Sequence, residues 1–306
     1  MLSITSIDES AELFKALGSD IRMEIVRLLL SNKSMSMHEL ATALCITDGA
    51  LTSHIKKLES CGLIRTTNDT SGHGNKKMCS LVHRKLLFDF DTDISAENTY
   101  KIALPIGQCN DYQVFPTCGL ASNTAIIGEV DDPRFFSHPD HTLASIIWFT
   151  KGYVDYDIPN LIPGGQKITQ LMLTMELSSE APGFNNVWPS DISFYLNDTL
   201  LGVWTSPGDF GDTRGIYTPE WWYENWNQYG LLKMLVINGN GTFLDGLLIS
   251  DTTIDSLALN SDSKLKLRLA VEAEAKHVGG LTVFGKGFGN YDQDIEITIN
   301  YLPINT

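Results

Sequence analysis

The stretch from Thr47 to Gly62, TDGALTSHIKKLESCG, constrains the fold of this chain more than any other. At about 100° per residue, Leu51, Ile55 and Leu58 fall on one side of a helix, which must therefore pack against something. Gly49, Ser53, Lys56 and Ser60 lie near the opposite pole, with Thr52 and Lys57 flanking it and His54 at the boundary. Thr47 is a suitable N-cap, and Gly62 marks the stop. Beyond Gly62 the period changes. Leu63 to Thr67 and Lys77 to Val82 read as strands, joined by the polar, glycine-rich segment 68–75.

The residues upstream supply the rest of a small domain. A helix is expected from about Asp8 to Leu17, closed by Gly18, and a second from 20 to 31 behind Ser19 as N-cap, with Ile21, Ile25, Leu28 and Leu29 at helical spacing. Ser36 and Glu39 have the S-x-x-E form of a capping box, opening a short helix to about Leu44. Helices followed by a hairpin give a winged helix-turn-helix layout over residues 1–88. Charge separates this part from the remainder. The whole chain carries a net charge of -15, yet residues 1–88 hold 11 Lys and Arg against 9 Asp and Glu, leaving 11 against 28 beyond. A near-neutral head with a cationic helix face can meet DNA, whereas the acidic remainder cannot form a second DNA surface.

Several residues resemble one family. Glu39-Leu40-Ala41, Thr47, Leu51-Thr52-Ser53-His54-Ile55, Leu58 and Cys61-Gly62-Leu63-Ile64 are similar to the recognition segment of ArsR-type winged-helix repressors, over about residues 10 to 85. The resemblance implies binding to a double-stranded DNA operator. It places Thr47, Thr52, Ser53 and His54 against bases or phosphates, Lys56 and Lys57 on the DNA backbone, and His73, Lys76 and Lys77 of the wing on phosphates. Gly49 belongs with these contacts, since a glycine near a helix N-terminus permits close backbone approach. Metal-sensing members carry a cysteine pair where this chain has Ser36 and His38, so no metal is expected there. The family also implies a homodimer.

Residues 89–98 read as an acidic linker, and 99–306 as a β-sandwich of jelly-roll type, making the whole an α+β multidomain protein. Strands are expected over 99–104, 143–150, 167–177, 191–196, 200–205, 231–237, 264–273 and 295–301, with turns at 160–165 and 238–241. The most distinctive segment is Pro219 to Asn227, which sets three Trp and one Tyr among polar groups. Rings beside carboxylates and a guanidinium suit a saccharide, so Asp212, Arg214, Trp221, Trp222, Tyr223 and Trp226 are the candidate effector residues, in a module loosely similar to carbohydrate-binding sandwiches. The alternative for these rings is core packing, which is the expectation for Trp148.

No resident cofactor is expected. Asp209, Asp212 and Asp245 form a weak calcium alternative. Five cysteines without a CxxC pair indicate free thiols, mostly buried, and no apolar run is long enough for a membrane span, so a cytoplasmic location is expected. The composite expectation is a regulator, not an enzyme, whose sandwich senses a small molecule. A sandwich that only dimerises or binds a protein, and a glycoside hydrolase with a DNA-binding appendage, remain open, although no Gly-x-Ser-x-Gly or His-Glu-x-x-His signature is present.

Overall fold

The computed structural model describes residues 2–4, 7–32, 34–69, 76–82, 86–88 and 98–304. The chain divides into two units, Met1–Ser95 and Ala96–Thr306. The boundary falls within the expected linker, of which residues 89–97 lie outside the described residues.

The first unit runs β1 (Leu2–Ile4), α1 (Ile7–Leu17), α2 (Asp20–Ser31), β2 (Met35–Ser36), α3 (Met37–Ala43), α4 (Asp48–Ser60), β3 (Ile64–Asp69), β4 (Lys76–Leu81) and β5 (Leu86–Phe88). Leu51, Ile55 and Leu58 of α4 are fully buried against Ile25 and Leu29 of α2, Leu40 of α3 and Leu63 and Ile64 at the start of the hairpin. The apolar stripe therefore sets the rotation of α4 about its axis. The capping box forms: the Ser36 N–H donates to Glu39 Oε2 at 2.7 Å and the Glu39 N–H to Ser36 Oγ at 3.3 Å. Ser19 occupies the N-cap position of α2 but makes no side-chain capping bond. The Arg22 guanidinium, nearly buried, instead ties α2 to the end of α1 through the carbonyls of Ala16 and Lys15. The antiparallel pair β3–β4 is the expected hairpin, extended toward its tip by two residues on β3 and one on β4, and β2 adds a third strand beside β4. The short strands β1 and β5, which pair in parallel, had no signal in the sequence.

The second unit is formed by β6 (Thr99–Leu104), β7 (Asp111–Ala121), β8 (Ile146–Ile158), β9 (Gln166–Ser178), β10 (Ser190–Leu196), β11 (Thr199–Ser206), β12 (Leu231–Asn238), β13 (Gly241–Leu244), β14 (Leu247–Ser250), α5 (Ile254–Leu257), β15 (Leu265–Val271), β16 (Leu281–Phe284) and β17 (Ile295–Pro303). Its strands form one antiparallel network with the path β11-β10-β15-β8-β16-β9-β12-β13-β14, from which β7 branches at β8 and β17, carrying β6, branches at β9. This corrects the expectation of a jelly-roll of two separate sheets. The path curls until its ends approach each other: a Cβ on Gly202 of β11 would lie 2.5 Å from Ile249 Cδ1 of β14. One core fills the concave side, drawn from Phe149, Leu171, Leu173, Phe194, Leu235, Leu267 and Ile297. Tyr156 also enters it, its hydroxyl donating to the Ile106 carbonyl at 2.9 Å. A second, smaller cluster lies on the opposite face of β8 and β16, built from Trp148, Trp222, Phe284 and Phe288. Neighbouring residues of β8 thus serve two cores, Ile147 and Phe149 one, Ile146 and Trp148 the other.

Replacing Leu51 by Ala should destabilise the first unit by about 2–5 kcal/mol, the usual range for deleting a sealed leucine. Urea titration followed by hydrogen exchange should show the loss in peptides from α2, α4 and β3, with β8 and β9 unaffected.

Candidate nucleic-acid interface and a C-terminal cavity

The turn between α3 and α4 aims the second helix. Cys45 adopts φ 54°, a left-handed conformation that side chains other than glycine occupy at a cost. The Thr47 hydroxyl accepts the Ala50 N–H at 3.3 Å, capping α4. With the apolar stripe inward, Thr47, Gly49, Ser53, Lys56 and Lys57 are exposed, and Thr52 and His54 are half-buried. These residues share the outer side of α4, but they are not equally available. Thr52 donates its hydroxyl to the Asp48 carbonyl at 2.8 Å and Ser60 to the Lys57 carbonyl at 3.0 Å. Thr47 has spent an acceptor lone pair yet keeps its O–H to donate. Ser53 has no hydrogen-bond partner, and Lys56 and Lys57 no ion-pair partner, among the described residues. Gly49 has right-handed backbone, and a Cβ built on it would touch nothing within 4 Å.

His54 faces partly inward. Burial holds its imidazole below the usual histidine range, with Arg22 and Lys57 adding to the effect, and its Nδ1 is buried without a hydrogen bond among the described residues. It is therefore a neutral ring at the rim of the core. The Thr66 hydroxyl of β3 donates to the Glu59 carboxylate of α4, bracing the helix against the hairpin. Lys76 and Lys77 are exposed on β4, next to the tip. His73 lies outside the described residues. His38 is exposed on α3, and Ser36 is engaged in the cap.

The aromatic segment of the second unit is partly packed and partly open. Trp222 is 1% exposed, its Nε1 donating to the Asn227 carbonyl at 2.7 Å and its ring edge-on to Trp148, Trp221, Trp226 and Phe288. Trp221 is half-buried and donates to the Asn123 carbonyl, while Tyr223 is exposed. Arg214 clamps the segment from below, donating to the Pro219 carbonyl at 2.7 Å and the Trp222 carbonyl at 3.4 Å. Asp212 accepts the Tyr229 hydroxyl at 2.9 Å. The six candidate effector residues therefore belong to one plug over the outer sheet face, with Asp212 and Arg214 holding its loops. Of the six, Trp226 lines a cavity.

That cavity, of about 250 Å³, is lined by Thr117 of β7, Asp131, Trp148 of β8, Glu180 just beyond β9, and Trp226 and Asn227 ahead of β12. Trp148, expected in the core, is 5% exposed and forms one of its walls. Glu180 is 7% exposed. Its carboxyl accepts from Thr117 Oγ1 at 3.2 Å, Asn227 Nδ2 at 3.1 Å and Thr282 Oγ1 at 3.1 Å. Burial first, then the nearby Asp209, hold the Glu180 carboxyl well above the usual range, and burial pushes Asp209 up to about 7. Sequence reading missed Thr117, Asp131, Glu180 and Asn227, which meet only through the pairing of β7, β8, β16 and β9. The aspartates of the calcium alternative are dispersed: Asp209 accepts the Ala181 N–H at 3.0 Å, and Asp245 pairs with Lys233. Among the described residues no three acidic, histidine or cysteine side chains converge as a metal site. Cys79, Cys109 and Cys118 are buried, Cys61 is half-buried and Cys45 exposed, all as free thiols. No helix among the described residues is long and apolar enough to cross a membrane.

Residues 21–83 match the family model of the winged helix DNA-binding domain. Among solved structures, reduced HlyU from Vibrio cholerae is 26% identical, the alignment covering 25% of this chain and 76% of that one with a TM-score of 0.23. A transcriptional regulator homologue from Pyrococcus horikoshii is 27% identical over 25% and 77% of the two chains, with a TM-score of 0.22. A homodimeric winged helix-turn-helix DNA-binding domain from Mycobacterium bovis, a possible ArsR-family transcriptional regulator, is 22% identical over 25% and 67%, with a TM-score of 0.23. Comparison with curated protein sequences gives no match. The family match ends before the second unit begins, and the first unit is a winged helix DNA-binding domain.

Proposed function

We propose that this protein is a transcription regulator of ArsR-like type, acting as a homodimer on a double-stranded DNA operator, with its second unit as receptor for a small molecule. The observation that carries the reading is the outer face of α4, where an uncommitted Ser53 hydroxyl, Lys56, Lys57 and a glycine without steric neighbours stand together beside a lysine-bearing hairpin. Small donors let a helix sit deep in the major groove, and the two lysines neutralise phosphates at its edges. The wing lysines Lys76 and Lys77 extend that contact along the backbone. Two heads on paired half-sites would give the affinity that one short helix lacks.

The receptor role is supported by the cavity and the plug that borders it. A saccharide, the ligand class suggested by the aromatic segment, would have to use Trp226, Trp221 and Tyr223, since Trp222 is sealed. In this reading the second unit is no catalyst, and the protein works in the cytoplasm, where an operator is reached.

Gel-shift titration tests the interface. Ser53→Ala should weaken operator binding without altering the unfolding midpoint. Lys56→Ala should weaken binding across all sequences and lower the slope of log K against log salt by about 0.9, the value of one phosphate contact. Unchanged affinity in both variants would refute the groove assignment. Gly49→Ala should separate a structural glycine from a contact glycine: it should hold or raise the stability of α4, by up to about 1 kcal/mol, while lowering DNA affinity. Equal DNA affinity would return Gly49 to the solvent face.

A further inference from the structure

The cavity in the second unit has an unbalanced chemistry. Two indole rings, Trp148 and Trp226, stand 6.0 Å apart between centroids at 62° and form its apolar walls. Its polar groups are dominated by acceptors: the Glu180 carboxyl and the exposed Asp131 carboxyl, which accepts the Cys118 N–H at 2.9 Å. No lysine, arginine or histidine lines it. Three donors near the cavity, the Thr117 and Thr282 hydroxyls and the Asn227 amide, are already directed at Glu180. A neutral polyol needs donors as well as acceptors, and its hydroxyls would compete with bonds already made. A cation needs only negative charge and aromatic faces, both of which are present. The acidic balance of the residues beyond 88 also raises the local concentration of cations.

We propose that this cavity binds a small organic cation, an ammonium group seated against Trp148 and Trp226 with its charge met by Glu180 and Asp131. The proposal deepens, and rests on, the reading of the second unit as a small-molecule receptor. The volume, about 250 Å³, is below the ~300–1,000 Å³ typical of sites for drug-sized ligands, and suits a single amine with a short or one-ring body.

The chain itself gives this buried acid no positive partner, which fixes the sign of its pH response. The titratable groups around Glu180 are Asp131 and Asp209, with the Cys118 thiol, pushed up to about 12 chiefly by burial, on β7. Glu180 lies well above its ordinary 4.5 and Asp209 rises from 3.8 to about 7. Both are tolerated while protonated, so their penalty grows as pH rises from about 4 through 7 and the ligand-free protein loses stability over that window. Asp209→Asn should flatten this decline in a thermal scan. A bound cation stabilises the ionised carboxyl, so binding should release a proton and tighten as pH rises.

Calorimetry on the full chain tests the site with three amines, choline, benzylamine and putrescine, each beside an uncharged counterpart, dimethylbutanol, benzyl alcohol and butanediol, and with glucose. At least one amine should bind more tightly at about pH 8 than at about pH 5.5, with buffer-dependent heats that report proton release, while its counterpart does not bind. Glu180→Gln and Trp226→Ala should each weaken that binding about tenfold or more, and Trp226→Phe by less. The glutamine variant removes the buried acid and should melt no lower than the parent at about pH 8. Equal binding of charged and uncharged members, glucose binding alone, silence from all three amines, or amine binding that survives both variants would overturn the proposal. Operator gel shifts with the bound amine address the receptor role separately. Amine binding without a change in DNA affinity supports the cavity assignment and removes only the coupling.

Discussion

The structure of the DNA-binding unit depends on the burial of Leu51, Ile55 and Leu58. Three aliphatic side chains sealed against α2, α3 and the root of the hairpin leave α4 only one rotation about its axis, and that rotation decides which polar residues meet solvent. Ser53, Lys56 and Lys57 are outward because their neighbours cannot be. The same constraint explains why His54, one step toward the stripe, has an unpaired nitrogen at the core rim and remains neutral. The polar make-up of this surface is thus specified indirectly, by what the hydrophobic effect removes from it.

The first unit was legible because its signals are local. Period, caps and the glycine stop all act within a few residues, so the four helices and the hairpin emerge within a residue or two of their expected bounds. The capping box at Ser36 formed as written. Ser19 did not cap, because a side chain can take the N-cap position without making its bond. The second unit was legible only strand by strand. Its edges in sequence were found for β6, β9, β10, β11, β12 and β17, but β7 was lost behind Pro116 and Gly119, and β13 and β14, each four residues long, are too brief for alternation to register. How the strands pair depends on partners far apart in the chain. A single curled network and a pair of stacked sheets therefore look alike at the level of pattern.

The aromatic segment shows the same limit from another side. Three tryptophans close together signal a large apolar surface, but not which side of it faces water. Here the surface is turned onto β8 and β16, and the glutamate Glu176 secures the surrounding loops by accepting the backbone N–H groups of Gly230, Asn290 and Tyr291. The plug is held from both ends, by Arg214 on its carbonyls and by this carboxylate on the neighbouring turns. What remains open is the seam beside Trp226, where Glu180 and Asp131 come from segments that nothing in the sequence connects.

The hydroxyl of Thr66 resting on the carboxylate of Glu59 couples two parts that are often treated as separate. It sits near the C-terminal end of α4, so in the proposed groove-reading mode the helix and the base of the hairpin would pivot as one bracket instead of as two fingers. Such a bracket would hold one span between α4 and the base of the hairpin. It would favour duplexes whose groove width already matches that span, and local DNA shape would then contribute to site choice alongside the bases themselves.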